Sequence, residues 1–408
     1  MRIVRHSLTL VVALALALIA ISAAAQDEIV NGPGSQALRF TPVTPCRVVD
    51  TRNPNGPFGG PPIQGLTSRS FPLPQNNSCR LPLGSTAYAL NVTVVPHEPL
   101  GFLTIWPTGQ PQPGVSLMNS DGRTKANAAI VLSGTGGAAV SVFSSNTTDV
   151  IIDVTGYFTP VNSSNLQFYP LTPCRVVDTR GAMGLLGGPS LQANMERDFP
   201  LLQSRSCNIP PSAQAYSLNI TAVPHGALGF LTVWQAGQQR PIASTLNAPT
   251  GTNTANAAII RAGSGGDIAV YPSNDTDLVV DINGYFAPAG TGGLSLYGLT
   301  NPCRVLDTRQ TGGLFNGELT VNVMGSSCTV PGTAQAYVLN ATVLPQSTLG
   351  FLTLWPDGQQ QPGVSTLNAT DGATTSNMAI VSTTNGSVDA FVTNPTNLIL
   401  DLSSYLAP

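Results

Sequence analysis

The chain has 408 residues, with 17 lysines plus arginines, 20 aspartates plus glutamates and a formal net charge of −3. That balance excludes a nucleic-acid binder, which would show a basic stripe. Only 9% of residues are charged, against about 25% in ordinary soluble domains. Lys125 is the sole lysine, and a surface of Thr, Ser, Asn, Gln and Gly has little charge to desolvate when it packs against glycans, a cell wall or copies of itself.

From the N-terminus, residues 1–25 read as a secretory signal. Arg2 and Arg5 are the positive region, Leu8 to Ile21 the apolar run, and Ala23-Ala24-Ala25 the small-residue cleavage site before Gln26. A retained anchor would need about 20 apolar residues with polar flanks on both sides, so no transmembrane segment is expected. The expected location is extracellular, with the mature protein released or held non-covalently at the cell surface. Residues 26–38 form a short polar leader, expected to be flexible.

The stretch Pro45-Cys46-Arg47-Val48-Val49-Asp50-Thr51-Arg52 is then written three times. It returns as Pro173-Cys174-Arg175-Val176-Val177-Asp178-Thr179-Arg180 and as Pro302-Cys303-Arg304-Val305-Leu306-Asp307-Thr308-Arg309. A spacing near 128 residues is far beyond the roughly 20 to 50 of solenoid units, so each copy should own a core. The copies span residues 39–160, 168–288 and 296–408, joined by connectors of Ser, Asn, Gly and Thr at 161–167 and 289–295. Connectors this short bring neighbouring copies almost into contact.

Within a copy the signals are those of strands. Tyr88, Leu90, Val92 and Val94 alternate with Ala89, Asn91 and Thr93, giving one apolar face. Leu100 to Pro107 is apolar on both faces and should lie between two layers. Strands are further expected at Val115–Asn119, Ala126–Leu132, Ala139–Phe143 and Val150–Phe158. No stretch beyond the signal has helical periodicity, and Gly and Pro punctuate the runs at sandwich spacing. The expected fold is all-β: three tandem, jelly-roll-like β-sandwiches with one disulfide each.

The cysteines fall two per copy, as Cys46 with Cys79, Cys174 with Cys207 and Cys303 with Cys328. With no C-x-x-C spacing, disulfides within each copy fit better than a metal site. Each would stabilise its copy by roughly 3 to 4 kcal/mol in the chain-entropy model and requires an oxidising compartment.

Several recurring residues admit two readings. On a regular strand Asp50 and Arg52 share a face while Arg47 takes the other. Asp50 with Arg52, Asp178 with Arg180, and Asp307 with Arg309 can form a structural latch. Asp153, Asp281 and Asp401, each alone in an apolar strand, either face solvent or join it by pairing with a latch arginine, linking the first and last strands of a copy. Alternatively Arg47, Arg175 and Arg304 grip a carboxylate or sugar hydroxyls. Trp106, Trp234 and Trp355, each after Gly-Phe-Leu-Thr-x, either cap a core or stack on a pyranose face. Asn91, Asn219 and Asn340 are glycosylation sequons, but their repetition within a strand favours backbone hydrogen bonding. Asp121-Gly122 and Asp371-Gly372 read as tight turns, because no calcium-loop pattern accompanies them.

Catalysis finds no footing. His97 and His225 share a position that is Gln346 in the third copy, so a nucleophile there would lack its base, and acids are too sparse for paired carboxylates. No cofactor and no metal are expected.

The Pro-Cys-Arg-Val-Val-Asp-Thr-Arg opening, Leu-Asn-Val-Thr-Val, Gly-Phe-Leu-Thr-Ile-Trp-Pro, Ala-Asn-Ala-Ala-Ile-Val and the closing Val-Ile-Ile-Asp-Val-Thr-Gly-Tyr-Phe together resemble the R-x-L-D-T-R type β-domain of secreted actinobacterial and acidobacterial proteins. The resemblance covers nearly all of residues 39–408 and implies a surface or accessory role with no agreed ligand. The third copy departs at Ser403-Ser404-Tyr405, where the others have Thr155-Gly156-Tyr157 and Asn283-Gly284-Tyr285, so its last turn is expected to differ. The function expected is non-catalytic adhesion or glycan binding, with a glycan or cell-wall polymer as partner. The alternative is a subunit of a self-associating extracellular filament or coat.

Overall fold

Period-two alternation becomes strand in every repeat of residues 36–408, the span described by the computed structural model. The signal and most of the leader lie outside the described residues. Repeat 1 contains β1 (Leu38–Asp50), β2 (Thr67–Phe71), β3 (Ala87–Pro96), β4 (Leu100–Pro107), β5 (Met118–Ser120), β6 (Lys125–Leu132), β7 (Val140–Ser144) and β8 (Thr148–Pro160). Repeat 2 has β9 (Gln167–Asp178), β10 (Arg197–Phe199), β11 (Ala215–Pro224), β12 (Leu228–Gln235), β13 (Leu246–Ala248), β14 (Thr254–Arg261), β15 (Ile268–Pro272) and β16 (Thr276–Ala287). Repeat 3 has β17 (Ser295–Asp307), β18 (Phe315–Asn322), β19 (Ala336–Pro345), β20 (Leu349–Pro356), β21 (Leu367–Ala369), β22 (Thr375–Ser382) and the long β23 (Ser387–Ala407).

Each repeat is a sandwich of two antiparallel sheets. In repeat 1 the orders are β1-β8-β3-β6 and β2-β7-β4-β5; repeat 2 repeats them as β9-β16-β11-β14 and β10-β15-β12-β13. In repeat 3, β23 runs through both sheets, pairing with β17 and β19 in one and with β18 and β20 in the other. The disulfides pair as expected, Cys46–Cys79, Cys174–Cys207 and Cys303–Cys328, with Cα separations of 5.7, 5.8 and 5.6 Å. One strand is unexpected and one expectation needs correction. Polar Thr67–Phe71 is a strand because β7 completes its hydrogen bonds. Of Val115–Asn119 only the end pairs, as β5, because Val115 lends its carbonyl to the Thr104 hydroxyl instead, at 2.8 Å.

Every repeat has its own core. Tyr88, Leu90, Val92 and Val94 line one; Tyr216, Leu218, Ile220 and Ala222 the second; Tyr337, Leu339, Ala341 and Val343 the third. The reverse face of β3 is not the solvent face that its polar residues suggest: Ala89, Asn91 and Thr93 are only 2, 6 and 1% exposed. It is covered because the repeats surround a fourth core to which all three contribute. Ala128, Ile130 and Leu132 enter it from β6, Ala257 and Ile259 from β14, and Met378 and Ile380 from β22. Four rings meet there, Phe40 lying 4.9 Å from Phe158 and 4.5 Å from Phe286, with Phe168 5.2 Å from Phe286.

The connectors are therefore more than tethers. Leu166 and Leu294 are buried in the shared core and bridge to the backbones of Phe40 and Phe168. Leu38, assigned above to the leader, opens β1 and pairs with Leu296 of β17. The Ser403-Ser404-Tyr405 ending follows the same logic. A Cβ on Gly156 or Gly284 would lie 2.2 Å from the Phe40 or Phe168 ring. Repeat 3 has Leu296 in place of that ring, and Ser404 fits in the continuous strand opposite Gly298.

Candidate functional site

The thrice-written motif forms its latch through a bulge. Arg47 pairs with Asp153 and Val49 with Ile152, leaving Val48 extra; Val176 and Val305 are extra in the same way. The added residue turns Arg47 to the side of Asp50, which corrects the opposite-face expectation: Arg47 Nη1 lies 3.3 Å from Asp50. Arg47 also grips Asp153 with two nitrogens at 2.9 and 3.1 Å, and Arg52 grips Asp50 at 2.8 and 2.6 Å. Arg175 with Asp281, Arg180 with Asp178, Arg304 with Asp401 and Arg309 with Asp307 repeat the arrangement.

The carboxylates of one latch are driven apart in acidity. Burial pushes the Asp401 carboxyl up to about 6 despite its arginine, and burial also raises Asp153 and Asp281. Asp307 is held below the ordinary range by the Arg309 hydrogen bond. Asp401 binds its proton more tightly folded than unfolded, so its contribution to stability is complete below about 3.8 and is lost as pH rises through about 6. Asp307 contributes above its ordinary value, and that contribution is lost as pH falls. Carboxyl carbon NMR should therefore show Asp401 titrating near pH 6 with Asp307 still ionised at pH 4; an Asp401 midpoint near 4 would contradict the burial argument.

The tryptophans cap rather than display. Trp106, Trp234 and Trp355 are 5, 0 and 1% exposed, and their indole N–H groups donate to the carbonyls of Gln110, Gln238 and Gln359 in the turn folded over them. β4 lies between its own core and a second layer to which this turn and β17 of repeat 3 contribute, and no indole face is open to a sugar. The candidate stacking role is corrected accordingly.

The sequon asparagines reach the next repeat. Asn91 donates to the Ser244 carbonyl, Asn219 to Ser365 and Asn340 to Ser116, at 2.6, 2.6 and 2.8 Å. A second set closes the same circuit: Asn127, Asn256 and Asn377 accept from the backbone N–H of Met378, Ala128 and Ala257. Repeat 1 holds 2, 2 holds 3 and 3 holds 1, a cyclic interface closed within a single chain. At one end of this ring Arg123 bonds Asp121 of its own repeat, Thr250 of repeat 2 and Asp371 of repeat 3. Gly122 and Gly372 take left-handed φ values of 101° and 74° in tight turns.

The histidines sit in an order unsuited to activating a hydroxyl. His97 contacts Asp149 at 2.8 Å, and the Thr51 hydroxyl donates to that same Asp149. A nucleophilic triad requires the histidine between the two. His225, Asp277 and Thr179 repeat the arrangement.

An open site does occur where repeats 3 and 1 meet. A cleft of about 360 Å³ is bounded by Phe102, Gln112 and Asn119 of repeat 1 and by Arg304, Arg309 and Thr342 of repeat 3. Phe102 is 36% exposed and rests on Phe143, ring centroids 5.5 Å apart. Of the candidate residues, the structure brings Arg304 and Arg309 here. Phe102 was missed because Leu100–Pro107 reads as uniformly apolar; the signal available was Gly-Phe recurring at 101–102, 229–230 and 350–351. Three intramolecular disulfides are consistent with an extracellular protein, and among the described residues no helix is long and apolar enough to cross a membrane. Compared with known proteins, the chain matches no family model and no curated sequence.

Proposed function

We propose that the chain is a secreted, non-catalytic protein of the cell surface or extracellular matrix that adheres to glycan through its β-domains. The observation that carries this reading is the cleft between repeats 3 and 1. It combines an exposed ring, side-chain amides, the half-buried Thr374 hydroxyl and guanidinium groups, the mixture of apolar face and convergent polar groups that suits an oxygen-rich ring. The resemblance to secreted R-x-L-D-T-R domains fits the same role. The filament alternative gains nothing from the inter-repeat surfaces, because these satisfy one another in a closed ring and leave no open end to propagate.

The test is retention of the mature chain on insoluble cell-wall polysaccharide, eluted by soluble fragments of the same polymer. Saturable retention is expected. Absence of retention on every wall preparation, with polymers visible by electron microscopy, would favour the filament instead.

A further inference from the structure

We propose that the cleft between repeats 3 and 1 is selective for an acidic sugar, a uronate residue whose ring lies on Phe102 and whose carboxylate meets Arg309. This rests on the glycan-binding reading above and names the sugar class. Each ion pair turns its cationic half toward the cleft. Asp307 and Asp401 each have side chains only 3% exposed, whereas those of Arg304 and Arg309 are 29% and 45% exposed. The negative charges lie beneath and the guanidinium groups present the positive side.

Asp307 also sets the orientation of Arg309. It takes Nε at 2.8 Å and Nη2 at 2.6 Å, and among the described residues Nη1 has no hydrogen-bond partner. Two N–H donors on a planar group already pinned by a carboxylate are pre-organised to receive another oxygen anion. Phe102 stands across the cleft as the apolar platform, while Gln112 and the half-buried Thr374 supply polar groups toward sugar hydroxyls. The junction of repeats 1 and 2 is built differently: in the turn corresponding to Gln112-Pro113-Gly114 the chain has Arg240-Pro241-Ile242. There Arg240 lies over the Tyr271 ring at 3.7 Å and Ile242 is exposed.

The experiment is calorimetric titration of the mature chain with a galacturonate tetramer and with its fully methyl-esterified form, for wild type, Phe102→Ala and Arg309→Gln. Expected is binding of the acid, at least tenfold weaker binding of the ester, and at least a tenfold loss of acid affinity in Phe102→Ala. Arg309→Gln should erase the preference for acid over ester. Phe102 is at the rim, so its variant keeps the test decisive if Arg309→Gln fails to fold. Equal affinity for acid and ester, or acid binding unchanged in Phe102→Ala, overturns the assignment. If the tetramer does not bind but wall retention persists, only the uronate assignment fails; if retention is absent as well, the glycan reading fails with it.

Discussion

Phe286→Ala is expected to destabilise the folded chain by about 3–5 kcal/mol, the range for deleting a fully buried ring. The residue belongs to repeat 2, but its ring lies 4.5 Å from Phe40 and 6.5 Å from Phe158, both of repeat 1. The loss therefore removes packing between repeats as well as within one. Phe230→Ala, which truncates a half-buried ring on an outer sheet against Tyr271, should cost about 1 kcal/mol or less. Denaturant midpoints for the two variants make the comparison. Equal, small effects would mean that the shared core contributes little.

Asn256→Ala should be nearly as damaging, at about 3 kcal/mol or more, because it strands several buried partners at once. The Asn256 oxygen accepts from Ala128 N at 3.0 Å, and its nitrogen donates to Asn91 Oδ1 and the Thr245 carbonyl at 2.7 Å each. Each buried group left without a partner costs about 1–3 kcal/mol. Asn256→Asp separates shape from chemistry: it keeps the volume and one acceptor but turns a second oxygen toward two carbonyl oxygens. It should destabilise at least as much as alanine, and a neutral Asn256→Asp would show that these hydrogen bonds do not hold the ring.

What could be read from residues alone followed from covalent order and period. The repeats, the disulfide partners, the inward faces of the central strands and the pairing of Asp153 with a latch arginine all depend on local alternation or on motifs present three times. The ring itself was hidden because its surface is made of ambiguous residues. Ala89, Asn91 and Thr93 are small and uncharged, and they sit as well against water as against a neighbouring strand. The discriminating hint lay in Ala128, Ile130 and Leu132, apolar on the face that a single sandwich would expose. The bulge at Val48 was illegible for a different reason: one extra residue leaves no mark in a short apolar run, yet it decides which face Arg47 occupies. The cleft joins Phe102 to Arg309, more than 200 residues apart in the chain, and only closure of the ring brings them together.

The most direct test is to place a protease site in each exposed connector segment, at residues 162–164 and 289–291, and cut both. Disulfides lie within repeats, so no covalent bond then joins the three pieces. A closed three-repeat ring predicts that the fragments co-elute at the mass of the uncut chain and unfold together. Fragments that separate as three independently folded sandwiches under native conditions would contradict it.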